Sequence, residues 1–449
     1  MSTTNGPAAD EQSSMPAPAI QNLPKMIVAD GAIAPEAPVD LRSTGIDPGI
    51  LADLALKLAY TTLQFNTEWA AQRLQLPLLL VKDLLEDLKS KQMLETLGSS
   101  GPFGSRYAIS RGGRERAARL FEISSYVGPA PVSLAAYTAM VEWQFMRSPK
   151  VDPDDVTSAL ADLVLPEDAL RFAGLAVSSG RSLFVYGPAG NGKTTLGRML
   201  HTVLRGDMWV PHCIVVDTSI IRIFDTQCHV ASDFSPSQPW TIDQRWVRIR
   251  RPLIVVGGEL TIESLDLTYS PTLRYYEAPL HIKSNGGILL VDDFGRQRVD
   301  PKQLLNRWII PMEHQVEYLT LHTGQKIDLP FRQMLIFATN LDPREVTDPA
   351  FLRRMGYRLP LEPPTPERYA EIFRRYLTRF GGIAEPRLIA RVLNRYQEEG
   401  RDLRCCEPRD LIERARDICR FRGQTLELND EIIDTAWTGY FGSRQAAGK

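Results

Sequence analysis

Gly187-Pro188-Ala189-Gly190-Asn191-Gly192-Lys193-Thr194-Thr195 lies between a short apolar run, Leu183 to Tyr186, and an amphipathic stretch. Glycines at these spacings let successive backbone N–H groups curl around an anion. A lysine in this place neutralises phosphate oxygens, and the adjacent hydroxyl can ligate a divalent cation. The chemistry is binding of a nucleoside triphosphate by the loop from Gly187 to Thr195, with Thr194 as one ligand of Mg2+. Farther on, Gly-Gly-Ile-Leu-Leu-Val-Asp292-Asp293 puts two adjacent carboxylates at the tip of a buried apolar run. Such a pair is costly unless a cation or a reacting water meets it. If the tip lies beside the phosphate loop, Asp292 holds Mg2+ and Asp293 faces the attacking water. The alternative is that Asp293 only caps the loop that follows.

The elements that must position these groups are legible in outline. From residue 166 onward strand and helix patterns alternate, which predicts an α/β fold with a mostly parallel sheet covered on both faces. The run 334–340, Met-Leu-Ile-Phe-Ala-Thr-Asn, is another apolar strand with a polar end. The segment 301–331 reads as a helix and then a hairpin turning at His322 to Gln325, and 366–440 has helical spacing throughout. Residues 1–45, rich in Ala, Pro, Ser and Asp, read as a disordered tail. Residues 46–123 read as three helices, split at Pro77, and a hairpin with a Gly-rich tip, and 124–164 as a helical linker. The order of 46–123 resembles a winged-helix domain with Pro77 to Lys91 as recognition helix. In that helix Lys82, Lys89 and Lys91 are balanced by Asp83, Glu86 and Asp87, which suits protein docking. Arg106, Arg111, Arg114, Arg116 and Arg119 leave duplex DNA open as a partner.

Beyond the phosphate loop and the carboxylate pair, the order of motifs resembles the AAA+ ATPases over about 165–440. The resemblance implies a core at 165–362, a helical lid at 363–449, and a ring, a hexamer, with nucleotide sites at subunit interfaces. It makes Asn340 a sensor of the γ-phosphate and brings an arginine finger, Arg353 or Arg354, from 347–359 to a neighbour's nucleotide. It also points Arg409, in Glu-Pro-Arg-Asp at 407–410, back at the nucleotide. The family's usual Asp-Glu is here Asp-Asp, a side chain shorter by one methylene. The hairpin before Met334 resembles that of the branch with the MoxR-like chaperones and the Holliday-junction motor, and an uncharacterised bacterial group shares "GGILLVDDFGRQR" and an N-terminal winged helix. Remodelling of a protein client is the implied activity. A DNA-remodelling regulator and a slow-turnover assembly switch are the alternatives.

Material inserted at 217–285 is rich in β-formers and arginine. Tyr275 and Tyr276 suit either core packing or a pore loop; Trp246 with Arg245, Arg248, Arg250 and Arg251 suits nucleic acid or an alternating strand. His212 and His229 lack metal-ligand spacing, and Arg307 is a weak candidate for a subunit boundary. With 52 Lys and Arg against 54 Asp and Glu, the net charge of −2 gives no global pull towards nucleic acid or an anionic membrane. Five cysteines without a CxxC pattern fit reduced thiols in a cytoplasmic protein, with Cys405-Cys406 as packing. No apolar run reaches the roughly 20 residues needed to span a bilayer, so no membrane insertion is expected.

Overall fold

In the computed structural model, residues 20–100, 104–346, 349–383 and 385–442 are described. Five strands form the central sheet in the spatial order Leu253–Val256, Ile288–Val291, Met334–Thr339, Leu183–Tyr186 and Tyr357–Pro360. All neighbours are parallel. The strands are continuously apolar because both faces are covered. Ile288, Leu290, Ile336, Leu183 and Val185 pack on one side, with Leu196 and Leu200 of the helix Lys193–Thr202. Leu289, Val291, Phe337 and Phe184 pack on the other, with Leu304, Leu305 and Trp308 of the helix Pro301–His314. A predicted hairpin follows that helix, Val316–Thr320 paired with Lys326–Pro330, and feeds into Met334.

Four helices, Pro366–Thr378, Pro386–Glu398, Glu407–Phe421 and Asp430–Phe441, bury Tyr369, Phe373, Tyr396 and Trp437 in a core of their own. At the other end, Pro48–Tyr60, Thr67–Leu74 and Leu78–Ser90 pack under a three-stranded antiparallel sheet of Phe65–Asn66, Gly104–Ile109 and Leu94–Ser100. The helix Arg111–Ile123 closes this unit, and the expected hairpin tip at 101–103 lies outside the described residues.

Three sequence expectations need correction. Of the supposed disordered tail, 1–19 lie outside the described residues, but Met26–Ala29 and Ala32–Pro35 form a hairpin. Ala34 is fully buried, and Trp209 Nε1 donates to the Ile33 carbonyl at 3.0 Å. Strands of four residues carry little periodic signal, and the groups that receive this hairpin, Trp209 and Asp243, lie far along the chain. The supposed linker is structural: Val132–Ser133 joins a second sheet, and the helix Leu134–Met146 buries Tyr137 and Met140. Nor is 217–285 one insertion. Leu253–Val256 belongs to the central sheet, and the additional strands, beginning at Asp207, lie on both sides of it in sequence. Parallel pairing to Ile288–Val291 is a non-local property that four apolar residues do not announce.

Gly197 lets the helix after the phosphate loop sit close to the sheet, since a β-carbon there would lie 2.9 Å from Leu290 Cδ1. Gly197→Val should therefore destabilise the core by about 1–3 kcal/mol through overpacking. Thermal unfolding of the variant and the parent protein measures this.

Candidate functional site

Strand register brings the predicted site together. Tyr186 pairs with Thr339, and Val291 with Phe337, so the phosphate loop, Asn340 and the carboxylate pair all emerge at the carboxyl edge of the sheet. Gly192 caps the helix Lys193–Thr202 with φ 86°, and a β-carbon there would meet nothing within 4 Å. The loop is thus open on the side where amide groups and the helix dipole favour an anion. Gly187 is closed instead: a β-carbon would lie 2.3 Å from the Leu361 carbonyl. Buried Asn191 ties the loop sideways, donating to that carbonyl at 3.3 Å and accepting from the Cys405 N–H at 3.3 Å.

Lys193 is 8% exposed, and its ammonium donates to the carbonyls of Gly187 at 2.8 Å and Pro188 at 2.9 Å and to Asn340 Oδ1 at 2.7 Å. All three donors are used, so a phosphate oxygen must replace one of these partners. Burial lowers the Lys193 pKa from its ordinary value, and Asp293 and Asp292 oppose that shift. Thr194 Oγ1 donates to Asp292 Oδ1 at 2.7 Å, joining residues 98 apart in sequence. One hydroxyl and one carboxylate form a hard-oxygen set that fits Mg2+, which takes one or two carboxylates and completes its shell with phosphates and waters. No cluster of three or more His, Cys, Asp or Glu suited to a metal occurs among the described residues.

Asp293 is exposed and adopts φ 46°. Its carboxylate accepts from Asn340 Nδ2 at 3.4 Å, so Asn340 bridges Lys193 and Asp293. The following turn is held by other atoms: Arg296 N donates to the Asp293 carbonyl at 3.0 Å, and Gln297 Nε2 donates to the carbonyls of Asp292 and Asp293 at 3.1 and 3.3 Å. The Asp293 side chain is left facing solvent. Gln297 was not anticipated, because a glutamine four residues past a motif carries no signal of its own.

Arg409 lies in the first turn of the helix Glu407–Phe421, with Nε and Nη2 donating to Asp410 Oδ1 at 3.0 and 2.9 Å. Asp410 raises its pKa, and the structure shows no bond from it to the loop. Closer contact comes from residues the sequence did not single out for the site. Cys406 N donates to the Gly190 carbonyl at 2.9 Å, and a β-carbon on Gly190 would lie 2.7 Å from Cys406 Sγ and 3.4 Å from Arg404 Cβ. Burial raises the pKa of both thiols, that of Cys405 to about 11, which fits the packing expected of the pair.

Arg353 and Arg354, both exposed, are on the helix Pro349–Arg354, which leads into the amino end of Tyr357–Pro360. They are at the sheet edge opposite this chain's own phosphate loop. Arg354 Nε pairs with Glu313 at 3.1 Å. The residues singled out within 217–285 have partners inside the chain. Tyr276 is buried and Tyr275 packs edge-on against Tyr126 at 5.6 Å. Trp246 is also buried, and Arg245 pairs with Asp243, Arg248 with Asp207 and Arg250 with Asp233. Arg307 pairs with Glu317 and Asp266 of its own chain. His229 bonds the Lys283 carbonyl at 2.8 Å, and burial lowers the His212 pKa to about 4.

A parallel sheet covered by helices on both faces and carrying a glycine-rich phosphate loop between its second strand from one edge and the helix that follows is an α/β P-loop nucleotide-binding core. A family described as a domain of unknown function, DUF8689, matches residues 365–439, the C-terminal helices. Among solved structures, the chain is similar to Thermotoga maritima RuvB, the Holliday junction branch migration motor, at 15% identity over 66% of this chain and 73% of that one, with a TM-score of 0.35. It is also similar to NtrX from Brucella abortus in complex with ADP, at 14% identity over 72% and 67%, with a TM-score of 0.39. No curated protein matches the chain. The fold assignment rests on the sheet order and the loop geometry.

Gly190→Ala should loosen the lid from the loop and weaken nucleotide binding, because the new methyl meets Cys406 Sγ and φ is 84°. Adding Cys406→Ala should restore part of the loss, with a coupling of about 0.5–3 kcal/mol. Titration of ATP into the two single variants and the double variant measures it.

Proposed function

We propose that the protein is a Mg2+-dependent ATPase of AAA+ type that works as a ring, with each active site completed by an arginine of the adjacent subunit. The observation that carries this reading is the 2.7 Å bond from Thr194 to Asp292. It unites the cation-binding hydroxyl with the cation-binding carboxylate, beside an ammonium placed for phosphate. The cation, when bound, spreads the charge of the phosphate oxygens. Lys193 then orients the β- and γ-phosphates, and Asp293 with Asn340 positions water for in-line attack. Arg353 and Arg354 are too far round the sheet to serve their own site, which supports a role in trans.

The lid would move against the core during turnover and act on a protein client. The hairpin ahead of Met334 supports placement in the MoxR-like branch. The N-terminal helices and hairpin are read as a winged-helix-like docking module. On Leu78–Ser90 and just after it, Lys89 pairs with Glu86 and Lys91 with Asp87. Arg111 pairs with Glu115 and Arg116 with Asp53, so two of the five arginines of the basic cluster are compensated locally. That compensation favours a protein over duplex DNA as partner. No helix among the described residues is long and apolar enough to cross a membrane.

Steady-state ATPase activity should rise more steeply than protein concentration as subunits assemble. It should fall at least about a hundredfold in Asp293→Asn and in Arg353→Ala/Arg354→Ala, with ATP affinity largely kept. A flat rate near zero with intact binding would replace the motor with an assembly switch.

A removable proton-linked penalty offers a separate check on the N-terminal module. Lys57 is buried, and its ammonium donates to the Ser124 carbonyl at 3.0 Å; burial lowers its pKa to about 8 from 10.5, against the raising field of Asp53. Between about pH 8 and 10.5 the unfolded chain holds a proton that the folded chain has released, so stability contributed by this group rises with pH. Lys57→Met should flatten that rise, as read by denaturant titration at pH 7.5 to 10, chosen to span the window roughly.

A further inference from the structure

We propose that the amino edge of the central sheet carries a second oxyanion site, a cleft that takes a phosphate-bearing small molecule in addition to the nucleotide at the opposite edge. The cleft encloses about 510 Å³ and is bounded by the residues that precede or begin the central strands: Arg181 and Ser182, Gly286 and Gly287, Met334, and Gly356. Strands of four to six residues separate the two edges by roughly 13–20 Å. A molecule in this cleft is therefore not the one held by the same chain's phosphate loop.

The lining is cationic without a carboxylate among the described residues. Three of its arginines are neutralised from behind: Arg205 by Asp155, Arg332 by Glu142 and Arg354 by Glu313. Lys150, Arg181 and Arg353 have no ion pair among the described residues. Arg251 is fixed by neutral oxygens alone, donating to the Arg205 carbonyl at 3.0 Å, the Gly286 carbonyl at 2.7 Å and Ser148 Oγ at 3.0 Å. Two of its five N–H groups remain for a ligand on a guanidinium that cannot lose its charge. Like charges gathered at one cavity repel unless an anion joins them.

Gln333 is the second, independent indication. It lines the cleft, is 8% exposed, and both its amide oxygen and its amide nitrogen are buried without a partner. Buried polar atoms left unmet are costly, and a cleft residue that bears this cost fits a ligand able to bond it. The amide nitrogen can donate to a phosphate oxygen. An arginine finger accounts for Arg353 or Arg354, but it gives no reason for Lys150, Arg181, Arg251 and Gln333 around the same space. Phosphate oxyanions could also reach this edge as the neighbouring subunit's nucleotide, so the test separates the two sources.

The probe is inorganic tripolyphosphate, titrated calorimetrically at low salt into full-length Lys193→Ala at a concentration where sedimentation shows monomers. The expected result is one tripolyphosphate per chain, weakened at least about tenfold by Arg181→Ala and again by Lys150→Ala. Gln333→Leu should weaken binding while raising the unfolding midpoint of the unliganded protein, since it removes an unmet amide. Lack of binding by Lys193→Ala, or binding indifferent to these substitutions, overturns the proposal. So does binding that appears only when ATP-loaded wild-type subunits are added, because the neighbour's nucleotide is then the only oxyanion. None of these outcomes depends on ATP hydrolysis, so the site and the ATPase reading can fail separately.

Discussion

The bond between Thr194 and Asp292 depends on strands ending at the same height. Leu183 to Tyr186 and Ile288 to Val291 are not neighbours; Met334 to Thr339 lies between them and sets the register of both. A slip of one residue in either pairing would exchange the two faces of a strand whose faces are both buried in different packing. Leu289 and Val291 pack with Trp308, and Ile288 and Leu290 with Leu200. The hydrophobic core thus fixes register, and register fixes the distance between the hydroxyl and the carboxylate. The chemistry of the tip is specified by apolar residues that never touch it.

The lid is joined to this edge by a chain of polar contacts that starts in its own core. Tyr369 donates to Tyr396 at 3.1 Å, and Tyr396 to buried Glu407 at 2.7 Å. Glu407 accepts in turn from the Arg404 N–H at 3.1 Å, and two residues on Cys406 meets Gly190. Burial raises the Glu407 pKa, and the bonds from Tyr396 and Arg404 oppose that shift. Each member satisfies a group that would be costly to leave unmet, which makes the turn at 404–406 stiff. A stiff turn resting on a glycine with no room for a methyl couples the position of the phosphate loop to that of the C-terminal helices.

What the sequence disclosed was local. The phosphate loop, the carboxylate pair and Asn340 sit at strand ends, where a short apolar run followed by polar residues is readable, and the helical spacing of the lid is strong. What it withheld was non-local. Residues 26–35 are ordered because Trp209 and Asp243 receive them, and Leu253–Val256 is a central strand because Ile288–Val291 pairs with it. Tyr276 has the composition of a functional aromatic and the environment of a core one, with its hydroxyl accepting from the His322 N–H at 3.1 Å. The cationic side chains of the cleft come from six separate stretches between Lys150 and Arg354, each resembling a solvated surface when read alone.

The aspartate at 293, where the AAA+ pattern resembled here has glutamate, has a backbone explanation. With φ at 46° the residue occupies the left-handed region, which Asp and Asn tolerate better than longer side chains. Entry into that region lets Asp293 N donate to Asp292 Oδ1 at 3.0 Å and sends Phe294 N to the Ala338 carbonyl at 2.8 Å. The strand therefore turns at once rather than running on past Asp292. With the chain turned this early, the shorter carboxylate still accepts from Asn340 Nδ2 at 3.4 Å. Side-chain length and backbone conformation act together: a glutamate would gain reach only by straining the turn that holds Asp292 against Thr194.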